Sequence, residues 1–294
     1  MTLQQFSLVV ALSALLCSTP LCQTTAEAAA KPDLDFHAPA SDPYASAIRE
    51  DVNTSVRQIQ SFFGAPFPDP IHFQLVDDRA DFDAAVKKFG LSPTQCWMVG
   101  VGAAGLMVVL SPEGWKKQAC EHHPRDVEAT RQLVKHEMIH VYHGQSNPTR
   151  DFTGIDDLDW FIEGLAGYRS GQLTQDRLEH MQAAVAVGQI PDALSKMWAG
   201  SNRYGFAGSL VRYVDQTWGR PVLVRLLQVG SSTEGLAILG TDEKALLVGW
   251  RASLTNQENP NGNPEGIALC APKRVGRIHI GRSRSGCSSQ FCPP

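Results

Sequence analysis

The hydrophobic spacing of this chain changes character partway along, and the change limits what it can fold into. In the first part the apolar residues fall in short runs. Ile71-His72-Phe73-Gln74-Leu75-Val76 has the two-residue period of a strand. Trp97 to Leu110 is rich in Val and interrupted by Gly, which predicts two strands joined near Ala103-Ala104-Gly105, the second stopped by Ser111-Pro112. Helical spacing occupies 41–64, through Ile48, Val52, Val56, Ile59 and Phe63, and returns over Asp81 to Phe89. From Asp126 onward the pattern is almost wholly helical. Asp126 can cap a helix that runs through Leu133, Val134, His136, Ile139, His140 and Tyr142 and stops around Gly144 and Pro148. An acidic loop, 151–157, leads into a second helix from about Leu158, and more helices are expected near 175–187, 204–217, 220–229 and 242–254. Few strands followed by many helices is an α+β plan: a small N-terminal mixed sheet and a mainly helical C-terminal half.

Both ends differ from this body. Residues 1–30 read as a signal peptide: Phe6 to Leu16 is an apolar run too short for a membrane helix, Pro20 breaks it, and Ala28-Ala29-Ala30 offers a cleavage pattern. Cys17 and Cys22 keep a lipid-anchored form open, although neither has Leu three residues before it. The expected location is therefore secreted or periplasmic, with no transmembrane segment once the signal is removed. From about Asn256 to Pro294 the chain is rich in Pro, Gly and Ser. After Glu265 it carries Lys273, Arg274, Arg277, Arg282 and Arg284 with no acid, which reads as a disordered basic tail. That leaves 31–255 as the folded domain. Its cysteines Cys96 and Cys120 make a reasonable disulfide pair for an exported chain. With a formal charge of −4, the chain has no general attraction to nucleic acid.

The chemistry centres on His136-Glu137-Met138-Ile139-His140. Positions i and i+4 of a helix point the same way, so the two imidazoles can share one Zn²⁺. Glu137 lies beside them, where it can reach a water without ligating the metal, as a general base must. A third ligand decides between a metal site and a surface helix that carries two histidines. His143 lies on nearly the same stripe, but three donors along one straight helix rarely converge on a tetrahedral ion. Glu163 opens a second helix 23 positions after His140, far enough for a loop to turn the chain back. Gly164 and Ala166 beside it are small enough for close packing against the first helix. The metzincin pattern, which needs Gly at 143 and His at 146, is absent: the chain has His143 and Ser146.

H-E-x-x-H followed by Trp160-Phe161-Ile162-Glu163-Gly164-Leu165-Ala166 resembles the gluzincins, most closely the peptidase MA-like domains related to zinc aminopeptidases. Tyr204-Gly205-Phe206-Ala207-Gly208-Ser209-Leu210-Val211-Arg212 is similar to their Y-x-x-G-x-S-x-x-R helix, with Ala207 in place of a Gly. The resemblance covers roughly residues 70–230. It implies a zincin-like fold in which an edge strand packs on the metal helix. It also implies one catalytic Zn²⁺ on His136, His140 and Glu163, with Tyr204 donating to the oxyanion. The aminopeptidases carry a G-x-M-E-N segment on that edge strand, whose Glu binds the substrate's amine. Gly100 to Val109 here reads GVGAAGLMVV and has no acid, so endopeptidase action on a peptide or protein substrate is the default expectation. A catalytically silent binding module of the same fold is the alternative, and an accidental motif is the third reading. Oligomeric state is not legible.

Overall fold

The computed structural model describes residues 33–255; the expected signal peptide, 1–30, and the basic tail, 256–294, lie outside the described residues. Four strands, β1 (Leu34–His37), β2 (Ile71–Val76), β3 (Gly100–Ala103) and β4 (Leu106–Leu110), form one mixed sheet in the order β1-β2-β4-β3. β1, β2 and β4 run parallel, while β3 folds back antiparallel onto β4 and becomes an edge. β2 buries Ile71, Phe73 and Leu75 and leaves His72 exposed, the alternation of a strand covered mainly on one face. Met107 to Leu110 of β4 are all buried, so β4 is covered on both faces.

The helices are α1 (Ala45–Phe63), α2 (Arg79–Val86), α3 (Pro112–Gln118), α4 (Val127–Ser146), α5 (Asp159–Ser170), α6 (Gln175–Ala186), α7 (Arg203–Trp218), α8 (Arg220–Leu226), α9 (Ser232–Leu239) and α10 (Glu243–Thr255). The plan is α+β, a small mixed sheet with a mostly helical remainder. Among the described helices, none is long and apolar enough to cross a membrane.

α4 is the central element, lying against β3 and β4 with α1 and α5 also packed on it. The Asp126 carboxylate accepts the Ala129 N–H at 2.9 Å and so caps its first turn. At the other end Gln145 donates to the Ala104 carbonyl at 2.8 Å, and Asn147 donates to the carbonyls of Leu227 and Val229. Tyr142 stacks on Phe63 of α1 with ring centroids 4.6 Å apart. A helix held on all sides can carry buried polar side chains in fixed positions, and that is what α4 does.

Three elements lay hidden in the sequence pattern. β1 is only four residues long and half-buried. Ser111-Pro112, expected only to stop β4, also starts α3, because the Ser111 hydroxyl accepts the Glu113 N–H at 3.2 Å and proline fits the first helical turn. α9 follows Ser231, whose hydroxyl caps Glu234. One packing expectation is corrected. A methyl on Gly164 would lie 2.6 Å from the Ala207 carbonyl oxygen, so this small residue admits α7 rather than α4.

Candidate metal centre

α4 and α5 pack together across the ends of three side chains. His136 and His140, one turn apart on α4, are each 6% exposed, and their Nε2 atoms lie 3.0 Å apart. From the second turn of α5, Glu163 brings Oε2 to 3.3 Å from His136 Nε2 and 3.6 Å from His140 Nε2. Donors bound to one ion at about 2.0–2.1 Å and at tetrahedral angles sit about 3.3 Å from one another. The observed separations bracket that value, and two nitrogens with one carboxylate oxygen are a donor set that zinc accepts. Among the described residues this is the one group of His, Cys, Asp or Glu drawn together closely enough to hold a metal ion.

Electrostatics follow the same geometry. Burial alone would raise the Glu163 carboxyl, yet His140 and His136 beside it hold it well below the usual carboxylate range. Burial likewise opposes protonation of His140, and the Glu163 charge more than offsets that, leaving its pKa above the ordinary imidazole value. Neither Nδ1 atom of the pair has a hydrogen-bond partner within the described protein. Asp157, near these histidines in sequence, instead accepts the Ser232 N–H at 2.8 Å. Asp159 lies on the cavity wall.

His143, the other histidine weighed as a ligand, is fully buried away from the donors. Its ring packs on Phe152 and Phe161 with centroids 4.9 and 5.5 Å away. Burial, with a smaller contribution from His140, pushes its pKa down to about 3, so it is neutral at ordinary pH.

Glu137 points from α4 toward the edge strand. Its side chain is buried, and burial raises its pKa, opposed by the neighbouring imidazoles and by the Gly102 N–H, which donates to its carboxylate. The close approach depends on glycine. A methyl on Gly100 would lie 2.8 Å from Glu137 Cγ, and one on Gly102 would lie 2.1 Å from the Glu137 carbonyl oxygen. The G-x-G of β3 therefore brings an unencumbered backbone against the carboxylate.

The donors, Glu137 and the whole of β3 open on one cavity of about 400 Å³, and Tyr204 of α7 closes its far wall. The Tyr204 ring centroid is 6.3 Å from that of His136. Burial raises its phenol pKa, and Glu163 adds to the effect, so the hydroxyl keeps its proton and can donate. The structure thus brings together all five residues singled out from the sequence: His136, Glu137, His140, Glu163 and Tyr204.

Sequence reasoning missed the rest of the wall. Trp97 and Met98 precede β3, and Trp198 packs edge-on against Tyr204 with centroids 4.7 Å apart. The Trp97 segment is fastened by the Cys96–Cys120 disulfide and by Arg79, which donates to Thr94 and to the carbonyls of Cys96, Met98 and Gln118. Arg177 and Arg203 also face this region. The only signal for any of them was the cysteine pair and the glycine spacing. Comparison with models of known protein families, with curated proteins and with solved structures finds no match.

Proposed function

We propose that this chain is a zinc-dependent peptidase with a zincin-like, gluzincin-type centre: zinc on His136, His140 and Glu163, Glu137 as general base, and Tyr204 as oxyanion donor. The observation that carries the reading is the convergence of the two Nε2 atoms and the Glu163 oxygen at tetrahedral donor spacing. Zinc held there supplies Lewis acidity, lowering the pKa of a water toward about 7 and polarising the scissile carbonyl.

The chain's own groups supply the remaining chemistry. Glu137 removes a proton from the attacking water and returns it to the leaving amine as the C–N bond breaks. A carboxylate with a raised pKa is well matched to both halves of that transfer. Tyr204 donates to the carbonyl oxygen as it gains negative charge, and losing one such donor commonly costs about 2.7–4 kcal/mol. The edge strand β3 lines the cavity along its whole length, which favours an extended peptide lying beside it. β3 carries no carboxylate, so endopeptidase action is favoured over recognition of a free amine.

The Cys96–Cys120 disulfide suits an oxidising compartment, in keeping with export of the chain. The test is digestion of a mixed peptide library by the purified full-length chain, with and without a zinc chelator. Cleavage that the chelator abolishes and added zinc restores is expected. Cleavage indifferent to the chelator, or no cleavage at all, would remove the proposal.

A further inference from the structure

A second, smaller cavity of about 190 Å³ shares His136, Glu137, Arg203 and Tyr204 with the first and extends to Arg177, which lines only this one. Neither arginine forms an ion pair among the described residues. Arg177 sets its guanidinium 4.2 Å from the centre of the Tyr204 ring and spends one N–H on the Gln172 carbonyl at 2.9 Å. Arg203 is held by aromatic faces alone, 5.7 Å from Trp97, 5.4 Å from Trp198 and 5.5 Å from Tyr204, and its buried Nε has no hydrogen-bond partner. Burial disfavours the charge on Arg177 and Arg203 adds to that, while Tyr204 and the adjacent Asp176, which pairs with His180, oppose it.

A guanidinium offers five N–H donors, and half-burying two guanidinium groups without an ion-paired carboxylate on either is costly. Of the carboxylates on this lining, Glu121 makes no ion pair with either arginine, and Glu137 is committed to β3. Arg203 lines both cavities, whereas Arg177 lines only the smaller one and Asp151 and Asp159 only the larger, so positive charge is concentrated on the smaller flank.

We infer that Arg177 and Arg203 form a subsite for a substrate carboxylate next to the bond being cleaved. Arg203 is the principal contact, since all its polar donors are uncommitted. The inference rests on the peptidase reading for the word substrate, but anion binding there is independent of turnover. The carboxylate can be an Asp or Glu side chain, or the C-terminus of the peptide; the second source would make the activity a carboxypeptidase.

Three probes separate these: acetyl-Ala-Glu-amide, acetyl-Ala-Gln-amide and acetyl-Ala-Ala with a free C-terminus. Binding to the full-length Glu137→Gln protein is followed by the fluorescence of Trp97 and Trp198. One of the two acidic probes should bind roughly ten- to hundredfold more tightly than the Gln probe, the effect of a charge-assisted pair. That ratio should collapse toward one in Arg203→Met, shrink in Arg177→Met, and survive in large part in Arg203→Lys, which keeps the charge and controls for a variant that does not fold. Equal binding of all three probes overturns the subsite, and so does a preference that persists in both Met variants. If the ratio behaves as expected while the peptide library stays intact, the subsite stands and the peptidase reading falls alone.

Discussion

The floor of the cavity and its wall are built on different principles. The floor is two helices that cross with their polar residues buried between them, and its three donors are fixed by helical spacing plus one turn of chain. The wall is a four-residue edge strand, a disulfide-tied segment and the start of α7, joined by contacts between residues far apart in sequence. One region can bind a metal on its own. The other lines the approach to it and, on the proposed reading, would orient the reacting atoms. Because the two share few residues, they can be damaged separately.

Glu137 sits where they meet, and changing it should show the largest effect. Glu137→Gln should lower turnover by about 10²–10⁴-fold, the range for loss of a general base, while zinc content stays at the wild-type level. Steady-state kinetics and elemental analysis of one preparation check both halves. Full activity in that variant would mean that the base lies elsewhere.

Opening the wall's covalent tie comes next. Cys96 and Cys120 are 24 residues apart, and removing a cross-link of that span from the unfolded chain should lower stability by about 3 kcal/mol. The Cys96→Ala/Cys120→Ala protein should nonetheless retain zinc, since neither cysteine supports α4 or α5. Denaturant melts with metal analysis test this, and loss of zinc from a still-folded variant would show that floor and wall are not separable.

The glycines of β3 give a finer comparison. Gly102→Ala meets a backbone oxygen that cannot move aside, and should cost about 1–3 kcal/mol of stability. Gly100→Ala meets the flexible part of Glu137, so it should be the milder change in stability but should displace the carboxylate and lower turnover. Melting temperatures and rates measured on both variants should therefore rank them in opposite orders.

The last comparison concerns His143, on the same helix as the donors but walled off by Phe152 and Phe161, where no effect is expected at neutral pH. Its pKa in the folded chain is about 3 against about 6.5 unfolded, so below pH 6.5 the unfolded state takes up a proton that the folded state refuses. Stability should fall as pH drops from about 6.5 toward 3, by up to about 1.4 kcal/mol per unit from this group. With chelator present throughout, His143→Phe should flatten that part of the profile; an unchanged slope would show that His143 does not titrate this way.

What was legible in the sequence follows the same division. The H-E-x-x-H spacing works because α4 is a regular helix, so two residues four apart needed no tertiary information to be paired. Glu163 was found by combining loop length with family resemblance, and Tyr204 by resemblance alone. The wall was opaque for a physical reason: Arg177, Trp198 and Trp97 have no periodic relation to one another, and only the folded chain brings them together. Ser111-Pro112 shows the limit of local signals, since the same pair ends β4 and caps α3. The small residue Gly164 was read correctly as a site of close approach, but its partner, Ala207 on α7, could not be identified from the residue itself.

The central claim is that two imidazoles and the Glu163 carboxylate hold one zinc ion. It is tested most directly by counting zinc in wild-type and Glu163→Ala protein after exhaustive dialysis against the same buffer. One zinc per wild-type chain and a large loss in a folded Glu163→Ala variant is the expected result. A wild-type chain without stoichiometric zinc, or a variant that retains it equally, would contradict the account.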